Sequence, residues 1–303
     1  MPKTKNHIRL PEWLDKKRAF ARTRDVKRLL RKSKLHTVCE EARCPNMSEC
    51  FSRPTATFLI AGDVCTRRCG FCAIDKGDPR PLDPKEPEAL ADAAHAMGLR
   101  HVVLTSVDRD DLADGGAAHW NACVKALRRR APDLTIEILT PDFRGVEEPF
   151  RVLDLAEVDV FNHNLETAPR LYRTVRPGAS YEGSLRLLSR AKAEGAVTKS
   201  GIMLGLGEAL EEVHAVMADL RAAGVDIFTC GQYLRPQRRA LPVKEYVPPP
   251  VFEAIREKGL AMGFKTVASA PYVRSSFHAD ESARAAGVAS VTLGGETIPV
   301  LAP

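Results

Sequence analysis

Cys39, Cys44 and Cys50 fall within the twelve residues CEEARCPNMSEC, and Cys65, Cys69 and Cys72 within CTRRCGFC, so six of the eight cysteines lie between positions 39 and 72. Clustering of this kind points to metal ligation rather than to a disulfide framework. Thiolates are soft donors suited to zinc or iron–sulfur centres. Such centres ordinarily take four protein ligands, and each triplet is one short. In Cys65-x3-Cys69-x2-Cys72 the tight spacing lets three thiolates face one centre from a single loop. A 4Fe–4S cube held by three cysteines keeps one iron open to a substrate or cofactor, by the logic that leaves catalytic zinc an open position. A structural zinc loop is the alternative. Cys123, in WNACVKAL, and Cys230, in DIFTCGQY, stand alone in apolar-rich segments and read as small buried side chains.

The elements that must position these thiols alternate in type. Apolar, β-rich runs occur at Thr57–Ala61, His101–Thr105, Leu134–Thr140, Val158–Asn162, Ser200–Leu206 and Asp226–Leu234. Helix-like stretches lie between them, with Gly98, Gly195 and Gly224 as stops, and a further helix spans about 250–262. Six strand–helix repeats predict an α/β fold with a parallel sheet, whose strands read as near-continuous apolar runs because both faces are covered. Eight full units are not present, so the expected architecture is a partial barrel of about six units. A polar cluster follows each strand: GDVCTRRC, TSVDRDD, TPDFRG, NHNLET, GLGE and GQYLRP. Ligands of such folds sit at the carboxyl ends of the strands, so these six loops are expected to converge on one mouth.

Composition bounds the rest. With 303 residues, 44% hydrophobic and 28% charged, the chain suits one large α/β domain with extensions, or two ordinary domains, and not a disordered polymer. No run reaches the roughly 18 apolar residues of a membrane span. The N-terminus lacks a secretory apolar region, and its basic stretch is Ser-poor and broken by Glu12, Asp15 and Asp25. A cytoplasmic protein is therefore expected, with organellar import left open. Residues 1–34 carry 13 Lys and Arg against those three acids, a local surplus of ten, so the remainder of this +6 chain is net negative by four. Such an arm suits an acidic protein partner or a solvated helical face. No aromatic interleaving or fold signature points to nucleic acid.

CTRRCGFC resembles the CxxxCxxC signature of radical S-adenosylmethionine enzymes, with Phe71 before the last cysteine as that superfamily has it. The resemblance implies a partial (β/α)6 TIM-type barrel, in agreement with the strand count. It also implies that the open iron chelates S-adenosylmethionine, which is cleaved reductively to a radical that abstracts hydrogen from unactivated C–H bonds. The likeness narrows further. CEEARCPNMSEC resembles the auxiliary-cluster motif of the lipoyl synthase family. PEWL, TSVDRDDLADGG, FNHNLET, VRPGASYEGSLRLL, KSGIMLGLGE, GQYLRP, LPVKEYV and VRSSFHAD resemble that family in the same order.

Membership in that family would imply insertion of two sulfur atoms at C6 and C8 of a protein-bound octanoyl-lysine. Two 4Fe–4S clusters would take part, the Cys65–Cys69–Cys72 cluster with S-adenosylmethionine as radical source and the Cys39–Cys44–Cys50 cluster as sulfur donor. The family's fourth ligand to the second cluster is a serine of its RSSY motif, here Arg274-Ser275-Ser276-Phe277, and the role carries to Ser275, with Ser276 as the fallback. An oxygen ligand is harder than a thiolate and more easily lost. Asn162, His163, Asn164 and Glu166 at the fourth strand end, Arg176 in VRPG, and Gly205 and Gly207 in GLG are the candidates for contact with the cofactor's methionine or ribose portion. Alone, His163 equally suits a satisfied core histidine, GLG a common turn, and Arg235 a surface ion pair.

The implied partners are an octanoylated lipoyl carrier domain or glycine-cleavage H protein, reduced flavodoxin or ferredoxin, and cluster-repair proteins. The expected domain plan is a basic arm with the auxiliary motif over 1–53, the barrel over 54–262 and an extension with the RSSF motif over 263–303, the two ends covering the barrel mouth. Phe277 departs from the family's Tyr, Ala240 from its His, and SAP from SGP before Tyr272. A methylthiotransferase would also use two clusters but calls for a further domain after the barrel. An iron–sulfur carrier or zinc scaffold would have no use for six polar strand-end loops.

Overall fold

A computed structural model describes residues 9–14, 27–28, 30–31, 33, 35–42, 44–50, 55–144 and 149–288. Most of the basic arm, the boundary at residue 53 and the tail after 288 lie outside the described residues. Seven strands form one parallel ladder in the order β2 (Thr55–Ile60), β5 (His101–Ser106), β6 (Thr135–Leu139), β7 (Val160–Asn162), β8 (Val197–Leu204), β9 (Ile227–Gln232) and β10 (Thr266–Ser269). A two-residue strand, β1 (His36–Thr37), adds antiparallel to the β2 edge, and a separate parallel pair joins β3 (Val64–Cys65) to β4 (Asp75–Lys76). All six expected strands are present. The seventh, β10, lies beyond residue 262 and follows the helix Pro249–Ala261. Among the described residues β10 does not pair back onto β2, so the barrel is partial.

The strands are buried on both faces for different reasons. Phe58, Ile60, Val102, Leu104, Ile136, Ile138, Phe161, Ile202, Leu204 and Phe228 pack in one cluster with helix residues such as Leu90, Trp120, Leu188 and Val216. The alternate positions look into the barrel, and several are polar. Glu137 and Lys199 are fully buried and paired at 3.0 and 3.1 Å, and Asn162 Nδ2 donates to Glu137 Oε1 at 2.9 Å. The expected helix stops follow helices ending at Ala96, Ala193 and Ala222. Cys123 and Cys230 are fully buried in this core. Among the described residues no helix is long and apolar enough to cross a membrane.

Candidate active site

The cysteine loop leaves β2 through Ala61, which takes a left-handed φ of 66°. That turn is held from both sides. The Ala61 N–H donates to Glu86 at 2.9 Å, Glu86 in turn meets His119 at 2.5 Å, and Arg109 Nη1 donates to the Ala61 carbonyl at 3.1 Å. Pairing of Cys65 with Lys76 then closes the loop on itself, and Lys76 Nζ donates to the carbonyls of Cys69 and Cys72 at 3.2 and 3.1 Å. Between the first two cysteines, Arg67 forks onto both carboxylate oxygens of Asp110 at 2.8 Å. Its Nη2 also reaches Asp142 at 2.6 Å, and its Nε lies 3.4 Å from Asp108. A bidentate guanidinium of this kind fixes geometry as well as charge, so the thiols sit on a loop clamped at both ends and in the middle.

Cys65, Cys69 and Cys72 line a cavity of about 150 Å³ together with Asp108, Asn164, Glu166 and Arg176. Burial pushes the Cys65 thiol up to about 11, with the Asp108 carboxylate adding to it, and Cys69 up to about 12. Buried thiols need a cation before they can ionise, so this donor set suits a metal centre that displaces the protons as it binds. The same cavity suits a polar cofactor, because Thr140 Oγ1 and Asn164 Oδ1 in its lining are buried without a protein partner. Among the described residues no three His, Cys, Asp or Glu side chains are drawn in around a single ion.

The strand-end candidates divide. His163 lines the cavity, but both ring nitrogens are engaged, Nδ1 with the Thr140 carbonyl and Nε2 with Ser184 Oγ, each at 2.9 Å. Burial and the nearby Arg176 push its pKa down to about 4. Asn164, Glu166 and Arg176 form a wall of their own. Arg176 Nη1 donates to the Asn164 carbonyl at 2.7 Å, and Asn164 Nδ2 donates to Glu166 Oε1 at 3.0 Å. Glu166 itself has φ 69° and bridges to Ile202 in β8, which holds a strained backbone in place beside the cavity. Burial pushes the Glu166 carboxyl up while Arg176 opposes it.

Asn162 sits deeper, on Glu137. Gly205, at φ 96°, packs against Gln232 and the Glu245 carbonyl, where a Cβ would come within 2.3 and 2.4 Å, and neither Gly205 nor Gly207 lines the cavity. Arg235 spends its guanidinium on the carbonyls of Arg238 and Ala240. Asp108 was not singled out from TSVDRDD by sequence. Its N–H donates to Cys65 Sγ at 3.3 Å, and its carboxyl is pushed up by burial against the pull of Arg67. The signal available was its place directly after a barrel strand.

The first triplet is placed by β1. Thr37 caps the short helix Val38–Glu41, Cys39 lies within that helix, Cys44 in the turn after it and Cys50 at the end of Met47–Cys50. Cys39 is pushed well up by burial and then by Cys44 and Cys50, so the three thiols act on one another. Over this segment lies the chain that follows β10. Pro271 accepts from the Gln232 N–H at 3.1 Å, and Val273 lies so close to Gly231 that a Cβ there would come within 2.0 Å of its carbonyl oxygen. Asn46 Nδ2 donates to the Tyr272 carbonyl at 2.6 Å, and His278 Nε2 meets Glu49 at 3.1 Å. Arg274 is pushed down by burial, against the pull of Cys44, Tyr272 and Glu166. Ser275 Oγ accepts from Asn164 Nδ2 at 2.5 Å. Of the three departures, Phe277 packs on His278 with ring centroids 4.1 Å apart, and Ala240 is buried.

Comparison with known proteins bears on this arrangement at two levels. The profile of the Radical SAM superfamily matches residues 59–220, and that of the N-terminal domain of lipoyl synthase matches residues 1–44. A lipoyl synthase of Thioalkalivibrio sulfidiphilus is 55% identical over 285 residues, covering 93% of this chain and 89% of that protein. The lipoyl synthase of Methylococcus capsulatus is 55% identical over 284 residues, covering 92% and 88%. Among solved structures, Streptococcus suis SuiB bound to S-adenosylmethionine aligns over 78% of this chain and 50% of that one, with a TM-score of 0.53 at 13% identity, a likeness of fold alone. The chain belongs to the lipoyl synthase family of the radical SAM superfamily.

Proposed function

We propose that Cys65, Cys69 and Cys72 hold the S-adenosylmethionine-binding 4Fe–4S cluster of this lipoyl synthase, and that Cys39, Cys44, Cys50 and Ser275 hold the auxiliary one. When bound, these groups supply hydrogen-atom abstraction and sulfur, so that two sulfurs replace two hydrogens at C6 and C8 of a protein-bound octanoyl-lysine. The chain's own residues position and shield. The Arg67 clamp on Asp108, Asp110 and Asp142 fixes the loop that presents the three thiols. Asn164, Glu166 and Arg176 line the cavity and would hold the cofactor's polar groups, with Asn164 Oδ1 and Thr140 Oγ1 as unpartnered acceptors for its donors. The 270–278 segment docks on the first triplet's motif at Asn46 and Glu49.

The observation that supports the two-site reading is the docking of that segment on the 39–50 motif through Asn46–Tyr272 and Glu49–His278, while Ser275 of the same segment contacts Asn164 in the cavity wall. The substrate is an octanoylated lipoyl carrier domain or glycine-cleavage H protein, the reductant a flavodoxin or ferredoxin, the restorer of the spent cluster a cluster-repair protein, and the compartment the cytoplasm. The surplus of ten positive charges over residues 1–34 steers an acidic carrier or donor. Neutralising several of these lysines and arginines is expected to weaken carrier binding and flatten its salt dependence.

The deciding assay is anaerobic. Reconstituted protein, dithionite, S-adenosylmethionine and an octanoyl-lysyl peptide are expected to give 5′-deoxyadenosine and a peptide in which two sulfurs replace two hydrogens. Deoxyadenosine without sulfur insertion would overturn the substrate reading and leave the radical one.

A further inference from the structure

Asn164 belongs to the cofactor cavity, yet one of the two groups that hold its side chain, Ser275, comes from outside it. Its amide nitrogen donates to two acceptors, Glu166 Oε1 at 3.0 Å and Ser275 Oγ at 2.5 Å, and its carbonyl oxygen is buried with no protein partner. The orientation of an amide follows from its partners. With a carboxylate and a hydroxyl oxygen on one side, the nitrogen must face them and Oδ1 must be the atom left over. The backbone is fixed as well, because Arg176 Nη1 donates to the Asn164 carbonyl at 2.7 Å. A buried acceptor without a partner costs free energy. Retaining one in a cavity wall gives a bound molecule an acceptor already aimed, at no cost of reorganisation. S-adenosylmethionine offers an amino group, ribose hydroxyls and the adenine amino group as donors.

Ser275 reaches this position from 111 residues further along the chain, on the segment that docks on the other cysteine triplet's motif. We infer that Ser275 has a second task beyond the auxiliary centre: it is a positioning residue for the cofactor cavity, and its hydroxyl oxygen holds the Asn164 amide so that Oδ1 is presented to S-adenosylmethionine. The inference rests on the cofactor reading of Cys65, Cys69 and Cys72. Its consequence is linkage. Anything that draws Ser275 away from Asn164 changes cofactor affinity, and cofactor on Asn164 changes the freedom of Ser275 by the same factor. The two sites then report to each other through one hydrogen bond, with no movement of the barrel.

The test separates this role of Ser275 from its place on the auxiliary cluster. The reference protein is the full chain with Cys39, Cys44 and Cys50 replaced by Ala, reconstituted with iron and sulfide. S-adenosylmethionine binding is measured by anaerobic equilibrium dialysis without reductant, and iron content confirms that the remaining cluster is loaded. In this reference, Ser275→Ala is expected to weaken binding by about three- to tenfold, the range for loss of one positioned hydrogen bond. Ser275→Thr, which keeps the hydroxyl, is expected to restore it. Asn164→Ala is expected to weaken binding by itself, and Ser275→Ala added to Asn164→Ala to cost nothing more, because the two residues act as one unit. Unchanged affinity in Ser275→Ala at full iron content, losses that add in the double variant, or failure of Thr to rescue would each overturn the inference. A reference protein that holds iron yet binds no S-adenosylmethionine would overturn the cofactor reading and the inference with it.

Discussion

Lys199 and Glu137 meet inside the barrel with no solvent exposure on either side chain, the ammonium lying 3.0 and 3.1 Å from the two carboxylate oxygens. Burial pushes the Glu137 carboxyl up, but Lys199, His101 and Asn162 together outweigh it and hold the pKa at about 2, against roughly 4.3 in an unfolded chain. A folded-state pKa below the unfolded one contributes stability that is full above about pH 4.3 and lost as pH falls toward 2. Lys199→Met leaves an uncompensated buried carboxylate and is expected to cost about 3–5 kcal/mol in denaturant unfolding near pH 7. The double variant Lys199→Met, Glu137→Leu is expected to recover most of that loss, since both charges then leave the interior together. A single variant as stable as the parent would show that the pair does not hold the barrel floor.

Gly231 and Val273 carry a second expectation. A Cβ at 231 would stand 2.0 Å from a backbone oxygen, which no side-chain rotation can relieve. Gly231→Ala must therefore shift the 271–274 segment, at a cost of about 1–3 kcal/mol. Reconstituted Gly231→Ala is expected to lose iron selectively from the auxiliary centre, with S-adenosylmethionine cleavage retained, as read by iron content and 5′-deoxyadenosine yield. Equal loss from both clusters would argue against this docking.

Ser275→Cys replaces a hard oxygen by a soft thiolate at the same point. We expect an auxiliary cluster that forms normally, resists chelators better than the parent and donates sulfur poorly, while deoxyadenosine production continues. Sulfur insertion at the parent's rate would remove Ser275 as the labile ligand.

The buried thiols predict how the metal-free protein behaves. With Cys65 raised to about 11 and Cys69 to about 12, both stay protonated at pH 8. Alkylation by iodoacetamide is expected to be at least tenfold slower at these positions than at a free cysteine, rising with pH toward those values. Mass mapping of the alkylated protein measures this directly. Fast labelling of Cys69 at pH 8 would mean that the loop opens when no metal is bound.

Much of the molecule was legible from the chain because its signals are local. Apolar runs of five to nine residues marked the six parallel strands, which need continuous burial on both faces. Cys65, Cys69 and Cys72 share one loop, so spacing alone set all three on one cavity. β10 is not legible in the chain because its four residues, Thr266–Ser269, hold a single buried side chain, Val267, too short a run to stand out. β1 has two residues and exists only by pairing with the β2 edge.

The sequence by itself determined the donor types, the order of the polar loops and the family. Which atoms meet was decided by tertiary structure, because contacts between distant positions leave no periodic trace in a chain. Asn162 and Asn164 are two residues apart in one motif, yet β7 ends at the first, which bonds Glu137 in the barrel interior, and the turn after it carries the second to the cavity wall. Three aspartates in TSVDRDD look alike as letters, and only the fold sets Asp108 on Cys65, Asp110 on Arg67 and Asp111 on Arg109. Ser275 is one of two adjacent serines that would otherwise suit any turn. It gains its neighbours because the segment after β10 turns back over the barrel mouth, packs on Gly231 and closes a loop of 111 residues onto Asn164.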